Sequence, residues 1–353
     1  MMKALILKIN PEQPEEDKIR TAAQALLEGG LAIIPTETVY GIAADARNSQ
    51  AVSRLYEIKH RPSNKPLSLI IDDKEKAEEF SSGLSRPAYK LIDKFWPGPL
   101  TLILPKIGGG SVGLRMPDNN IALRIIAAVG SALFCPSANL SGMPAPSDFG
   151  EAIKDLGDKI EVAIDGGKAK LGIESSVVDL TQTPYKIQRQ GALSELEINE
   201  VANKKTVLFI CTGNSCRSVM AKAYLEKRLG QLGRSDIEVL SAGILGIPNL
   251  GVSPQTQQAL EKEGISVEGH RSLRVNNLMI KKSDLILVME KMHEERISEL
   301  VPDVKNRIFL LKEFARMEGN SLDIEDPIGQ PIEFHEHIFS IIKETVEKVL
   351  KII

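Results

Sequence analysis

Two domains are predicted, an N-terminal α+β domain with a mixed twisted sheet and a C-terminal α/β domain with a doubly wound parallel sheet and helices on both faces. Three observations predict them. A chain of 353 residues exceeds what one hydrophobic core usually organises. Past residue 205, strand-like and helix-like segments alternate at the spacing of βαβ units, which predicts parallel strands. Between 162 and 189, in contrast, VAIDGG, ESSVVDL and YKIQR follow one another with no long helix between them, which predicts antiparallel neighbours and a mixed sheet.

In chain order, DKIRTAAQALLEGG (17–30) has apolar residues at helical spacing and a Gly-Gly stop, and LAIIPT (31–36) is a β-branched strand ended by proline. SQAVSRLYEIKH (49–60) and RPAYKLIDKF (86–95) read as helices, PLSLII (66–71) and LTLILPK (100–106) as strands. The best seam is LSELEINEVANKK (193–205), a polar stretch before a fresh strand pattern, so the domains are expected over 1–198 and 205–353 with a linker at 199–204. In the second domain TVLFI, IEVLSAG, DLILVM and RIFLL are the expected strands. SPQTQQALEKEG (253–264) shows helix punctuation: Ser253 as N-cap, Pro254 at the first helical position and Gly264 as left-handed stop.

The formal net charge of −3 argues against a chain built mainly on neutralising phosphate backbones, and leaves room for a local basic groove. Three cysteines, Cys135, Cys211 and Cys216, are too few for a disulfide framework and fit a reducing cytoplasm. No apolar run approaches the roughly 18 residues a membrane helix needs, so no signal peptide and no membrane segment are expected.

The sharpest local signal is CTGNSCRS (211–218), between TVLFI and a helical run. The five histidines form no zinc spacing with its cysteines, and no C-x-x-C redox pair occurs, so no metal site is expected. An anion site fits better. A loop leaving a strand and entering a helix turns successive N–H groups inward at the positive end of the helix dipole. Gly213 permits a tight turn, Asn214 can brace the loop, and Arg217 offers a planar fork to a phosphoryl group. The same field stabilises a thiolate, which makes Cys211 a candidate nucleophile. Cys135, in ALFCPSA, reads as a buried small hydrophobe.

C-x-x-x-x-x-R-S at 211–218, SAG at 241–243, GHRS at 269–272, DLILVME at 284–290 and DP at 326–327 together resemble the low-molecular-weight protein phosphatases over about 205–353, a family with tyrosine phosphatases, arginine phosphatases and arsenate reductases. The resemblance implies that Cys211 attacks phosphorus, Arg217 and the loop amides hold the oxygens, Ser218 supports the thiolate and Asp326 protonates the leaving group. Asn214, Ser215 and Cys216 complete the loop, with a reversible Cys211–Cys216 disulfide implied under oxidation. Tyrosine-directed members resemble one another in a bulky apolar residue where this chain has Ser215 and in aromatics after the DP, where this chain has DPIGQP. A small hydroxyl residue there resembles the arginine-phosphatase branch. Phosphotyrosine and phosphoarginine both stand as substrates, with a lean to the second, and arsenate reduction through Cys216 as a rival.

The first half has neither a Walker loop nor G-x-G-x-x-G, and GGGSVG (108–113) lacks the following Lys-Ser/Thr. PTETVYG (35–41), KHRPSNKPL (59–67) and CPSANLSG (135–142) instead collect hydroxyls, amides, Lys59 and Arg61 at strand and helix ends, enough to cradle a nucleotide's phosphates. With FWPGPLTLILP, GLRMPD, PSANLSGMPAP, IDGG and ESSVVDL they resemble the YrdC-like threonylcarbamoyl-AMP synthases across about 10–195. The resemblance implies that ATP, accompanied by Mg2+, reacts with L-threonine and bicarbonate to give threonylcarbamoyl-adenylate and pyrophosphate, for the N6-threonylcarbamoyladenosine of tRNA. Thr36, Arg115, Ser137 and Ser175 match positions around threonine; Lys59, Arg61, Ser63, Ser111, Asn139, Ser147 and Arg189 match positions around ATP. tRNA, its modification proteins and double-stranded RNA are the implied partners beside a phosphorylated protein for the other half, which needs no cofactor. Two departures stand out, Gln190 in QRQGA for a family proline and Asn119-Asn120 for His-Pro. The rival reading is a nucleotide- or RNA-binding module of the same shape without synthase activity.

Overall fold

The computed structural model describes residues 4–245, 247, 249–319 and 321–353, which divide into two compact units, Met1–Ala202 and Asn203–Ile353.

The first unit runs β1 (Leu5–Lys8), α1 (Glu16–Leu27), β2 (Ala32–Ile34), β3 (Gly41–Asp45), α2 (Ser49–Ile58), β4 (Ser68–Ile70), α3 (Ala77–Phe80), α4 (Arg86–Phe95), β5 (Leu100–Pro105), β6 (Ser111–Arg115), α5 (Asn120–Val129), β7 (Leu133–Phe134), α6 (Phe149–Lys154), β8 (Val162–Asp165), β9 (Ser176–Asp179), β10 (Lys186–Arg189) and α7 (Glu195–Asn203). Its ten strands form one mixed sheet in the order β1-β8-β2-β3-β7-β4-β6-β5-β9-β10. The antiparallel expectation for the last three strands holds only for β9 with β10. β8 lies parallel between β1 and β2, and β9 lies parallel to β5, because the chain from 166 to 175 leaves the sheet and crosses to its other end. Buried side chains of alternating strand positions pack under α1 and α5 on one face and against α2 and α6 on the other. Asn119, one of the two departures, caps α5 by accepting the Ala122 N–H. Residues 195–203, which run into the expected linker at 199–204, are helical, with Ile198 and Ala202 in the core beside α4, and the two units divide between Ala202 and Asn203. The polar composition that suggested a linker belongs to the exposed face of that helix.

The second unit runs β11 (Lys205–Cys211), α8 (Arg217–Gln231), β12 (Ile237–Gly243), α9 (Pro254–Glu261), α10 (Asn277–Lys282), β13 (Leu285–Val288), α11 (Lys291–Leu300), a 3-10 turn (Pro302–Arg307), β14 (Ile308–Leu310), α12 (Leu311–Phe314) and α13 (Ile332–Leu350). All four strands are parallel, in the order β12-β11-β13-β14. Val207 and Phe209 pack toward α8, α9 and α13, while Leu208 and Ile210 pack toward α10 and α11, so helices cover both faces. The Ser253 hydroxyl accepts the Thr256 N–H, Pro254 opens α9, and Gly264 has φ +67°, as the punctuation predicts. Doubly wound order brings the carboxyl end of the central strand β11 and the start of α8 to the edge where ligands bind in such sheets.

Candidate active sites

In the first unit, strand ends converge on a cleft of about 320 Å3. Thr36, Arg61, Arg115, Ser137, Ser175 and Arg189 line it, from segments as far apart as 36 and 189. Behind the wall, Arg115 Nε donates to the Gly98 carbonyl (3.2 Å) and Nη2 to Thr38 Oγ1 (2.8 Å), while Nη2 also lies 2.7 Å from the buried Glu37 carboxylate. The fork expected to meet a carboxylate is therefore largely committed through Nε and Nη2. Thr36 Oγ1 donates to the Val39 carbonyl (2.6 Å) and so accepts from Thr38 Oγ1 (2.9 Å), which fixes both hydroxyls. Ser175 Oγ bonds Thr101 Oγ1 (2.9 Å) and accepts from Arg189 Nη2 (3.3 Å); Arg189 Nη1 pairs with Glu174 at 2.6 Å.

Lys59, Ser63, Ser111, Asn139 and Ser147 do not line this cleft. Lys59 is buried behind Ser137, its ammonium donating to the Ser137 and Asn139 carbonyls at 2.5 Å each. Burial, helped by the Arg61 charge, pulls its pKa down to about 8. Arg61 holds its own loop through the Lys65 and Pro66 carbonyls. Asn139 Nδ2 braces the Leu140 and Met143 carbonyls, Ser147 is bound to Glu151, and Ser63 and Ser111 are exposed. Cys135 is half-buried and packs against the hydrophobic core as expected, and it also lines the cleft, against Gly41, where any Cβ would stand 2.3 Å from its Sγ. Burial pushes its thiol up to about 12. Sequence reasoning missed Glu37, Thr38 and Ser176. Ser176 Oγ accepts the Gly191 and Leu193 N–H groups and donates to the Leu193 carbonyl, which fixes the QRQGA turn while Gln190 stays exposed.

In the second unit, Cys211 closes β11 and CTGNSCRS wraps round its sulfur. The Asn214 N–H points at Sγ (3.3 Å), and Ser218 Oγ lies 3.0 Å from it. Asn214, at φ +55°, donates through Nδ2 to Ser218 and Ser241 (3.0 Å each) and accepts the Leu273 N–H, a left-handed residue braced on three sides. Ser218 Oγ accepts from Asn214, which leaves its proton for Sγ. His270 Nε2 bonds the Asn214 carbonyl at 2.9 Å. Ser215 touches Cys216, whose Sγ lies 3.2 Å from Ser253 Oγ.

Arg217 is buried, with Nη1 on Glu290 (2.6 Å) and the Ile324 carbonyl (2.7 Å), and Nη2 on Thr212 Oγ1 (3.1 Å) and Asp326 (2.5 Å). Its Nε has no partner among the described residues. His293 Nδ1 accepts the Glu290 N–H, so Nε2 carries the proton toward Thr212 Oγ1 at 3.0 Å. Burial first, then the Arg217 charge, lowers the His293 pKa to about 4, which keeps the ring neutral. Glu290 and His293 are the acid groups' neighbours that motif reading passed over; the capping box they form at α11 was the available signal. Among the described residues, no group of three or more His, Cys, Asp or Glu is placed to hold a metal ion, and no helix is long and apolar enough to cross a membrane.

Two family models match this chain, one described as telomere recombination (Sua5, YciO and YrdC) over residues 24–191 and one as low molecular weight phosphotyrosine protein phosphatase over 206–353. A Methanocaldococcus jannaschii relative is 36% identical over 201 residues, 54% of this chain and 95% of its own. The chain belongs to the first of these families, and its residues 206–353 match the model of the second. A threonylcarbamoyl-AMP synthase of Pyrococcus abyssi is 43% identical over 199 residues, 54% of this chain and only 58% of that relative's own length. The solved P. abyssi Sua5 complexed with L-threonine has a TM-score of 0.54 at 28% identity, covering 87% of this chain and 99% of that one. The Sua5-like unit and the phosphatase-like unit each carry one of the two constellations.

Proposed function

We propose that the Sua5-like unit makes L-threonylcarbamoyladenylate and pyrophosphate from Mg·ATP, L-threonine and bicarbonate, for tRNA N6-threonylcarbamoyladenosine, and that the phosphatase-like unit hydrolyses a phosphorylated protein side chain. The convergence of Thr36, Arg115, Ser137 and Ser175 with Arg61 and Arg189 on one cleft supports the first reading. The Arg115 guanidinium and the hydroxyls orient the amino acid, and Lys59 and Arg61 face the triphosphate once it displaces carbonyl contacts. Threonine's amine and bicarbonate form a carbamate with loss of water, a carbamate oxygen attacks the α-phosphorus, and the P–O bond to pyrophosphate breaks. Placement and charge stabilisation supply most of the effect, with little acid–base machinery.

The Cys211 sulfur inside a ring of N–H and O–H donors supports the second. Sγ attacks phosphorus, the loop amides and Arg217 Nε take the equatorial oxygens, and Asp326 leaves Arg217 Nη2 to protonate the departing group. Asp326 then takes a proton from the water that opens the cysteinyl phosphate. Ser215 and the absence of an aromatic beside Asp326 favour phosphoarginine over phosphotyrosine. Parallel assays of wild type, Lys59→Ala and Cys211→Ser test both readings. Pyrophosphate release that requires threonine and bicarbonate is expected to disappear in the first variant only, and phosphatase activity in the second only. Release that ignores threonine, or phosphotyrosine peptides cleaved much faster than phosphoarginine peptides, would overturn the corresponding reading.

A further inference from the structure

The positive charges in the cleft wall of the Sua5-like unit and just behind it, where Lys59 lies under Ser137, are in two different states. Arg115 is 8% exposed and has the Glu37 carboxylate 2.7 Å from Nη2, with Glu37 itself 3% exposed. That contact is a charge pair without an aligned hydrogen bond, and Glu37 Oε2 has no partner among the described residues. Arg189 is likewise paired, with Glu174. Lys59 and Arg61, in contrast, are held only by uncharged carbonyls in the contacts described for them: Ser137 and Asn139 for the ammonium, Lys65 and Pro66 for the guanidinium. One part of the cleft is thus charge-balanced and another keeps uncompensated positive charge.

A carboxylate buried away from water beside an arginine is costly unless it does something the fold needs. Arg115 could have been braced by Thr38 and the Gly98 carbonyl alone, since these already hold Nη2 and Nε. We infer that Glu37 is a specificity-determining residue: by cancelling the charge of Arg115 it keeps phosphates out of the amino-acid subsite, so that threonine is selected there by hydrogen bonds from the guanidinium and the cleft hydroxyls and not by net charge. The inference rests on the synthase reading and adds to it the reason two anionic substrates do not exchange places in one cleft. A triphosphate carries several charges and an amino acid carries none net, so a balanced subsite discriminates by net charge and the Lys59–Arg61 end attracts the phosphates.

The test is kinetic, on the full chain, with Glu37→Gln and Glu37→Asp. Inorganic phosphate and pyrophosphate are expected to compete with ATP in wild type and to leave the threonine KM unaffected. In Glu37→Gln, which keeps an acceptor and removes the charge, both anions should become competitive against threonine, with inhibition constants about tenfold or more below wild type. Glu37→Asp should restore the wild-type pattern at least in part. Thermal melting of both variants reports whether the unit is folded. A folded Glu37→Gln protein with the wild-type inhibition pattern overturns the inference, as does one that loses kcat with every KM unchanged, the signature of a scaffold residue. Absence of threonine binding to wild type by calorimetry would overturn the synthase reading instead.

Discussion

Gly243 offers the most direct test of how the phosphatase loop is built. It ends β12 opposite Cys211, and a Cβ placed there would stand 2.7 Å from the Thr212 carbonyl oxygen, 2.9 Å from the Gly213 carbonyl carbon and 3.0 Å from the Asn214 nitrogen. All three are backbone atoms of the loop, so no flexible side chain can swing aside. The methyl of Gly243→Ala lies about 0.7 Å inside ordinary van der Waals separation, and the loop must move by a comparable distance or the strand must. Asn214 cannot follow easily, because Ser218, Ser241, Leu273 and His270 hold it. Overpacking of this kind costs about 1–3 kcal/mol of stability, and misplacing a reacting group by about 1 Å can lower a rate by roughly 100-fold. The expected result is a folded protein whose phosphatase kcat/KM falls by about 10–100-fold while threonine-dependent pyrophosphate release is unchanged. Steady-state kinetics on a small aryl phosphate and on phosphopeptides, with a melting curve, suffice. A folded Gly243→Ala protein within about threefold of wild type would refute the steric reasoning.

Three further outcomes are expected. His293 has a folded pKa of about 4 against about 6.5 for a free imidazole, so the unfolded chain binds the extra proton between those values. The stability it contributes is complete above about pH 6.5 and is lost as pH falls toward 4, a change of roughly 3 kcal/mol in urea melts that His293→Gln should flatten. Lys59 loses its charge above about pH 8 in the free protein, so kcat/KM for ATP should decline above that pH in wild type. A Lys59→Arg protein with the same alkaline limb would contradict the assignment. Ser176→Ala strands the Gly191 and Leu193 N–H groups, and should cost about 2–3 kcal/mol and raise the ATP KM through the Arg189 turn; an unaltered melting temperature would count against it.

Much of each unit was legible in sequence because its cause is local. Ser253 caps α9 since a hydroxyl one position before a helix can reach the Thr256 N–H whatever surrounds it. The loop geometry of CTGNSCRS was legible, because strand, tight turn and helix are contiguous and the cysteine, asparagine and arginine stand close along the chain. The helix over 195–203 was missed for a physical reason: its core contacts are two residues, Ile198 and Ala202, whose signal is weak against a polar background. β8 was misjudged since its partners β1 and β2 lie more than a hundred residues upstream, beyond any short-range pattern. Cys135 packs against the core as its apolar neighbours suggest, but that it also stands in the cleft wall depends on the fold around the two-residue strand before it.

Sequence alone determined the two-part organisation, the strand–loop–helix unit around Cys211 and the types of group available for binding, since each depends on residues close along the chain. Tertiary structure decided which groups are free to act. Pairing of Arg115 with Glu37, of Arg189 with Glu174 and of Arg217 with Glu290 and Asp326 joins residues 15 to 109 positions apart. A guanidinium's charge is fixed by its chemistry, but whether that charge is spent on a neighbour or left for a ligand depends on what the fold brings within about 3 Å of it.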